Sequence, residues 1–214
     1  MRGVTATASR PRRTQAERRE STQRAILDAT IEGLTKVGYA QLSTNKVVRK
    51  AGVSRGALVH HFPTKADLAV AALDRWLTDR IVEFDATFAA LRPEDRRDDV
   101  AIDILWEMFE GPTFAAWIEL VVAARTDERL RPKLVEVNDR FSEGVYESFR
   151  RAFDLDGTDL AFDPLVAVDF AFTVLTGAAT GRFLDDPSER AQPQALTTLK
   201  FVSALLANPL WRNQ

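Results

Sequence analysis

One glycine constrains how the first third of this chain can fold. Gly52 stands between two short segments of helical pattern inside Ser43 to Leu68, STNKVVRKAGVSRGALVHHFPTKADL. Thr44 to Ala51 carries Val47, Val48 and Ala51 at helical spacing, with Asn45, Lys46, Arg49 and Lys50 around the outside. Ser43 stands where a side-chain oxygen can cap that helix. Gly52 can take the left-handed conformation that ends it. After Val53 alone, Ser54 caps the next helix, Arg55 to about Phe62, which Leu58 locks onto the first. Pro63 closes it, and Thr64-Lys65-Ala66-Asp67 reads as a capping box with Asp in place of Glu or Gln. Helix, one-glycine turn, helix is the spacing of a helix-turn-helix, which lays its second helix in the major groove of DNA. Spacing alone also admits any pair of short helices in an all-α protein.

The charge distribution follows the motif. The net charge is −2, but residues 1–65 hold 13 Lys or Arg against 4 Asp or Glu, and the remainder holds 16 against 27. A basic N-terminal third suits a polyanion, because each phosphate contact releases counterions. An acidic remainder discourages DNA from binding elsewhere. The alternative is that these basic residues only solvate a helical surface.

The run from about Gln15 to Leu73 resembles the N-terminal domain of the TetR family of transcriptional regulators. Ala25, Ile26, Ala29 and Gly38 carry the likeness, followed by Ala51-Gly52-Val53-Ser54, Gly56, Leu58, His61-Phe62, Lys65 and Leu68. The last two thirds fit the family only in general style. The resemblance implies an all-α protein: a three-helix DNA-binding domain, 14–73, and a helical effector-binding and dimerisation domain, 74–214, after a disordered basic tail, 1–13.

Contact roles divide between chemistry and resemblance. Arg55 opens the recognition helix and can donate two hydrogen bonds to guanine O6 and N7. Gly56 lets the backbone approach closely, and Ser43 and Ser54 belong to the same DNA-facing set. Asn45 matches the family position that reaches the groove from the preceding helix. Thr44 and Lys65 match positions that hold phosphates, Lys65 also lying near a helix N-terminus. His60 matches a backbone contact. Two residues depart from the family: Val59 replaces the usual Tyr, losing its hydroxyl but able to touch a thymine methyl, and Val48 replaces the customary Ala. Arg10, Arg12 and Arg13 of the tail are candidates for the adjacent minor groove.

The rest of the chain reads as helix almost throughout. Thr14-Gln15-Ala16-Glu17 is a capping box opening a first helix to about Val37, with Leu27, Ile31 and Leu34 along one face, and Gly38 ends it. Lys65 to about Leu91 is one long linking helix. Helices follow over about Asp95–Phe109, Thr113–Arg125 and Glu128–Phe153, with Pro132 tolerable only in a first turn. A polar loop, Asp154 to Asp163, precedes the last two helices, Pro164 to about Leu184 and Pro193 to about Ala207. No strand signal is present.

Those last two helices are apolar on more than one face, which suggests burial on two sides. The resemblance implies pairing with their copies as a four-helix bundle, making a homodimer through about 164–184 and 193–207. Two recognition helices about one DNA turn apart then predict a palindromic operator. A sensor is expected at about 95–185, where Trp106, Phe109, Phe114, Trp117, Phe141, Tyr146, Phe149, Phe170, Phe172 and Phe183 are dense. Of these, Trp106, Phe109, Phe114, Trp117, Phe141, Tyr146 and Phe172 are the candidate lining of a pocket for a hydrophobic or aromatic effector, with ordinary core as the alternative for each. Met108 adds adaptability, and Glu119 and Arg125 either orient a ligand or face water.

An enzyme is not expected, and neither is a metal or cofactor. Adjacent His60 and His61 point about 100° apart on a helix, and no GxGxxG, Walker-type loop or GxSxG occurs. With no cysteine, no disulfide framework is available. No apolar run looks long enough to span a bilayer and the N-terminus lacks a secretory core, so a cytoplasmic location is expected. The sequence therefore predicts a TetR-like dimeric regulator that binds double-stranded DNA, more readily a repressor released by a small molecule than an activator. A helical interaction protein without sequence-specific DNA binding is the alternative.

Overall fold

Thr14 starts the first helix by reciprocal capping. Its hydroxyl accepts the Glu17 amide at 3.2 Å while its own amide donates to the Glu17 carboxylate at 2.7 Å. The computed structural model describes residues 14–153, 164–185 and 193–206. Among them lie nine α-helices: α1 Gln15–Gln41, α2 Thr44–Ala51, α3 Arg55–His61, α4 Lys65–Ala89, α5 Asp98–Phe109, α6 Pro112–Ala124, α7 Leu130–Phe153, α8 Pro164–Gly181 and α9 Gln194–Leu206. No strand occurs among the described residues. The basic tail with Arg10, Arg12 and Arg13, the expected loop 154–163, and Ala207 at the end of the last expected helix lie outside them.

The helix-turn-helix forms as its residues dictate. Gly52 takes φ 65°, ψ 32° and ends α2, and Ser54 caps α3 by accepting the Ala57 amide at 3.1 Å. Leu58 and Phe62 are buried beneath it. Thr64 and Asp67 form the expected capping box on α4. One cap differs. Ser43 precedes α2, but its side chain makes no capping bond; its backbone carbonyl takes the Lys46 and Val47 amides instead. The hydroxyl is left without a partner among the described residues.

Gly38 ends the regular part of α1 where the sequence placed its end, and a short helical turn follows across the kink. With φ 70° and ψ 172° it breaks the helical path, and the span continues to Gln41. Other boundaries move for local reasons. Pro93–Asp95 forms a 3-10 turn, so α5 starts at Asp98 and not Asp95. The Arg96 guanidinium donates to the Ala89 and Leu91 carbonyls, closing the end of α4. Asp127 accepts the Arg129 and Leu130 amides at 3.0 Å each, which sets the start of α7 and leaves Pro132 in its first turn. The last turn of the expected 164–184 helix tightens to 3-10 over Arg182–Leu184.

Two cores result. The first joins Ile26 and Leu34 of α1 to Val47, Leu58, Leu68 and Leu73, and continues into Leu120 of α6 and Leu130 and Leu134 of α7. The second joins Phe84 and Phe88 of α4 to Ile102, Leu105, Trp106, Phe114, Leu175, Leu196 and Leu199. The stretch Leu165–Leu184 is long and apolar enough, by length and composition, to cross a membrane, contrary to the expectation that no run was. Average hydropathy tolerates Asp169 and Arg182, which interrupt any unbroken apolar run. Leu175 and Ala179 of this stretch are buried in the second core.

The two positive-φ glycines separate two costs. At Gly52 an added Cβ meets nothing within 4 Å, so Gly52→Ala is expected to cost about 1 kcal/mol in urea unfolding. At Gly38 the same atom collides with the Glu119 carboxylate, so Gly38→Ala should cost clearly more. Equal losses would show that the Glu119 contact yields freely.

Candidate nucleic-acid interface and effector cavity

The exposed surface of α2 and α3 gathers most of the DNA-facing candidates. Arg55 and Val59, four residues apart, share a face of α3, as do Gly56 and His60, and all four are exposed. Val59 is 48% exposed although apolar. Ser54 and Asn45 are exposed, while Ser43, Thr44 and Lys65 are half-buried. Val48, in place of the family's Ala, packs half-buried against the first core.

Cations on this surface divide into paired and unpaired. Glu32 of α1 holds Lys36 at 2.7 Å and also pairs with Lys50. The two ammonium groups pull the Glu32 carboxyl down to about 2. Among the described residues Lys46, Arg49 and Arg55 have no ion pair or hydrogen bond to a side chain. Sequence reading placed Lys46 and Arg49 on the outside of α2 without giving them a role; the signal available was the absence of any acidic residue in that helix.

Lys65 is not simply free for a phosphate. Its ammonium donates to the Ala40 carbonyl at 3.0 Å and lies 4.6 Å from the centre of the Tyr39 ring. Burial lowers its pKa, against the pull of Asp127. Three donors on one ammonium leave others for an anion. Tyr39 completes the junction. Its amide donates to Glu119 at 3.1 Å and its hydroxyl to Asp127 at 3.3 Å. Glu119 faces water, as one of its two readings had it, and does not line the cavity described below, but its carboxylate also accepts the Tyr39 amide and so holds the end of α1. Arg125 is exposed.

A cavity of about 440 Å³ opens among α4, α5, α6, α7 and α8. Phe109, Phe114, Trp117, Phe141, Tyr146 and Phe172 all line it, as does Met108. Phe172 joins two walls, 5.6 Å from Phe109 and 6.2 Å from Phe141 between ring centres. Trp106 does not line it. It is buried beside Arg182, whose guanidinium lies 5.4 Å from its ring and pairs with Glu110 at 2.9 Å. Phe149 is on the lining, while Phe170 and Phe183 are about half exposed outside it. The cavity also extends beyond the expected 95–185, taking Leu77, Arg80, Ile81 and Phe84 from α4. Aromatic density in the second domain carries no signal for the polar part of the lining, which includes Arg80, Asn138, Ser142 and Asp169.

The description bacterial regulatory proteins, tetR family, matches residues 26–72. An uncharacterized HTH-type transcriptional regulator of Mycobacterium tuberculosis is 36% identical over 138 residues, 64% of this chain and 71% of the relative. The HTH-type transcriptional regulator CymR of Pseudomonas putida is 40% identical over 130 residues, 60% of this chain and 64% of the relative. Among solved structures, one described as a TetR-family transcriptional regulator from Rhodococcus sp. is similar with a TM-score of 0.65 at 23% identity, covering 88% of this chain and 100% of that one. The multidrug binding protein EbrR, complexed with imidazole, is similar with a TM-score of 0.62 at 26% identity, covering 92% and 97%.

Tyr39 gives the junction a measurable signature. Burial, with Asp127 beside it, pushes its phenol up to about 12. The neutral form is favoured on folding, so its contribution to stability is whole below the unfolded value near about 10 and fades as pH rises through 12. The chain has two tyrosines, so Tyr146→Phe leaves Tyr39 alone in a near-ultraviolet pH titration. Ionisation near pH 12 is expected; a midpoint at the free phenol value would place Tyr39 in solvent.

Proposed function

Because the chain belongs to the tetR family of bacterial regulatory proteins and is a helix-turn-helix transcriptional regulator, we propose that it is a repressor that binds a palindromic operator as a homodimer and leaves it when a small hydrophobic effector binds. One observation carries the DNA site: Arg55, Lys46 and Arg49 stand on α2 and α3 with no carboxylate partner among the described residues. Arg55 reads a guanine, Gly56 admits close backbone approach, and Asn45, Val59 and His60 contact the groove or its edge. Ser43, Thr44, Ser54 and Lys65 position the duplex through phosphates. Residues 14–73 form the reading head and 74–214 the effector-binding and dimerisation part, although the first core runs across that boundary.

The dimer reading rests on α8 and α9. Val166, Phe170, Phe201 and Leu205 are exposed apolar residues along them, and a Cβ at Gly177 or Gly181 would meet nothing within 4 Å. Such surface is what a four-helix pairing of two copies would cover. The effector reading rests on the cavity, whose size and apolar lining suit a small molecule. EbrR, a neighbour of the same fold, is complexed with imidazole. Helix α4 links the sites: Lys65 stands at the reading head and Phe84 at the cavity, roughly 28 Å apart along one helix. An effector acts by binding one arrangement of the dimer more tightly than the other.

Selection of bound genomic fragments by the purified protein, with a salt titration on the winner, tests this reading. A palindrome is expected. Arg55→Ala should lose about 1–3 kcal/mol of operator affinity and relax specificity at one base position, while Lys46→Ala and Arg49→Ala weaken all sequences alike and flatten the salt dependence. An unchanged preferred sequence in Arg55→Ala would remove that residue from base reading. For the dimer, Phe201→Glu should give a helical monomer by light scattering; an intact dimer would place the interface elsewhere.

A further inference from the structure

The cavity is apolar except at a few points, and one of those points has an unmet need. Arg80 of α4 lines it among Leu77, Ile81 and Phe84. Its guanidinium pairs with Glu83 through one terminal nitrogen, but its Nε is buried and has no hydrogen-bond partner among the described residues. A buried donor without an acceptor is destabilising, and more so when the group is charged. On α7, Asn138 and Ser142 also line the cavity, one helical turn apart and so on the same face. Among the described residues neither side chain has a hydrogen-bond partner. The guanidinium, amide and hydroxyl together form a set rich in donors.

The one carboxylate on the lining among the described residues is in the opposite condition. Asp169 of α8 is exposed and accepts the Tyr146 hydroxyl. Its charge is met by a hydrogen bond and screened by solvent. The cavity's unsatisfied demand is therefore for an acceptor and not for a cation.

We infer that the effector is a hydrophobic organic anion, an aryl or medium-chain alkyl carboxylate, whose carboxylate is received by Arg80 with Asn138 and Ser142 while its apolar body lies among the phenylalanines. This rests on the effector-binding reading above. A carboxylate suits Arg because two oxygens can accept from the guanidinium fork. The volume of about 440 Å³ lies within the range of small-ligand pockets and leaves room for an apolar body of one or two rings.

The test is calorimetry on the full chain with matched triplets. One- and two-ring aryl carboxylates and eight- to twelve-carbon alkyl carboxylates are each paired with their primary amide and primary amine. The neutral dye 1-aminoanthracene reports whether any apolar ligand enters. At least one carboxylate is expected to bind at least about tenfold more tightly than its amide. Arg80→Gln should abolish that preference while leaving dye and amide binding intact, and Arg80→Lys should restore part of it. Melting temperatures without ligand check that both variants fold. Asn138→Leu, which leaves the cation in place, should weaken the carboxylate selectively. Amides or amines binding as tightly as carboxylates would overturn the inference and leave the effector-binding reading standing. Dye binding that no carboxylate displaces would do the same. Failure of the dye as well as the whole panel would overturn both.

Discussion

The Glu119 carboxylate lies where α1 has to turn, and the arrangement of the head depends on that contact. Positive φ at Gly38 takes the following amide, Tyr39, out of the helical ladder. That amide belongs to a buried residue, and leaving it unmet would cost about 1–3 kcal/mol. The acceptor comes from α6, 80 positions later in the chain. The Tyr39 side chain then reaches Asp127 at the start of α7, and Lys65 at the start of α4 covers its ring. Four segments remote in sequence meet at one residue, so the end of α1 cannot move without disturbing α4, α6 and α7. On the far side, Lys133 of α7 pairs with Asp67 of the α4 capping box at 2.7 Å, which holds the Asp67 carboxyl below its usual range.

This junction explains why the cavity stands where it does. The first core fills the space beneath the reading head, and the second lies among α4, α5, α6, α8 and α9. Trp117 packs against both and also lines the cavity. Leu77 of the first core and Phe84, Leu105 and Phe114 of the second also line the cavity. The cavity is therefore the seam between two close-packed units, and close-packed interiors shift between arrangements more readily than they deform. Two helices run from that seam to the head. Helix α4 does so along its length, and α6 does so across its width, with Trp117 on the cavity and Glu119 on Tyr39.

The reading head was legible because local chemistry specifies it. Gly52, Ser54, Leu58 and the Thr64–Asp67 box each act within a few residues, and local rules govern caps and turns. The cavity was half legible. Aromatic density marked Phe109, Phe114, Trp117, Phe141, Tyr146 and Phe172, but the same density could not tell that Trp106 turns toward Arg182. Arg80 was invisible because α4 read as a connecting helix, and a polar residue on such a helix reads as solvent-facing. Glu119 was read as a ligand group or a solvated one, since its partner is an amide freed by a glycine in another helix. Contacts of that kind depend on tertiary approach, which no local pattern encodes. The proposed division at residue 73 has the same origin: the motif ends there, whereas the buried residues continue into Leu120 and Leu134.

Glu32 shows how the surface cations can be sorted without any DNA present. An exposed ion pair contributes little to stability because water screens it, so the hold of Glu32 on Lys36 and Lys50 is weak in energy. It is still a local neutralisation: two cations of the basic third are matched on α1 before a phosphate arrives. Lys46, Arg49 and Arg55 carry no such match, so their charge is the uncompensated part of the surface potential on α2 and α3. Counterion release depends on that uncompensated part, since a cation already paired must give up its carboxylate to take a phosphate. The count of basic residues in the first 65 therefore overstates what a phosphate backbone meets. On α3 itself Val59 offers only apolar surface, so under the proposed DNA reading Arg55 is the residue of that helix left to supply both hydrogen-bond direction and charge.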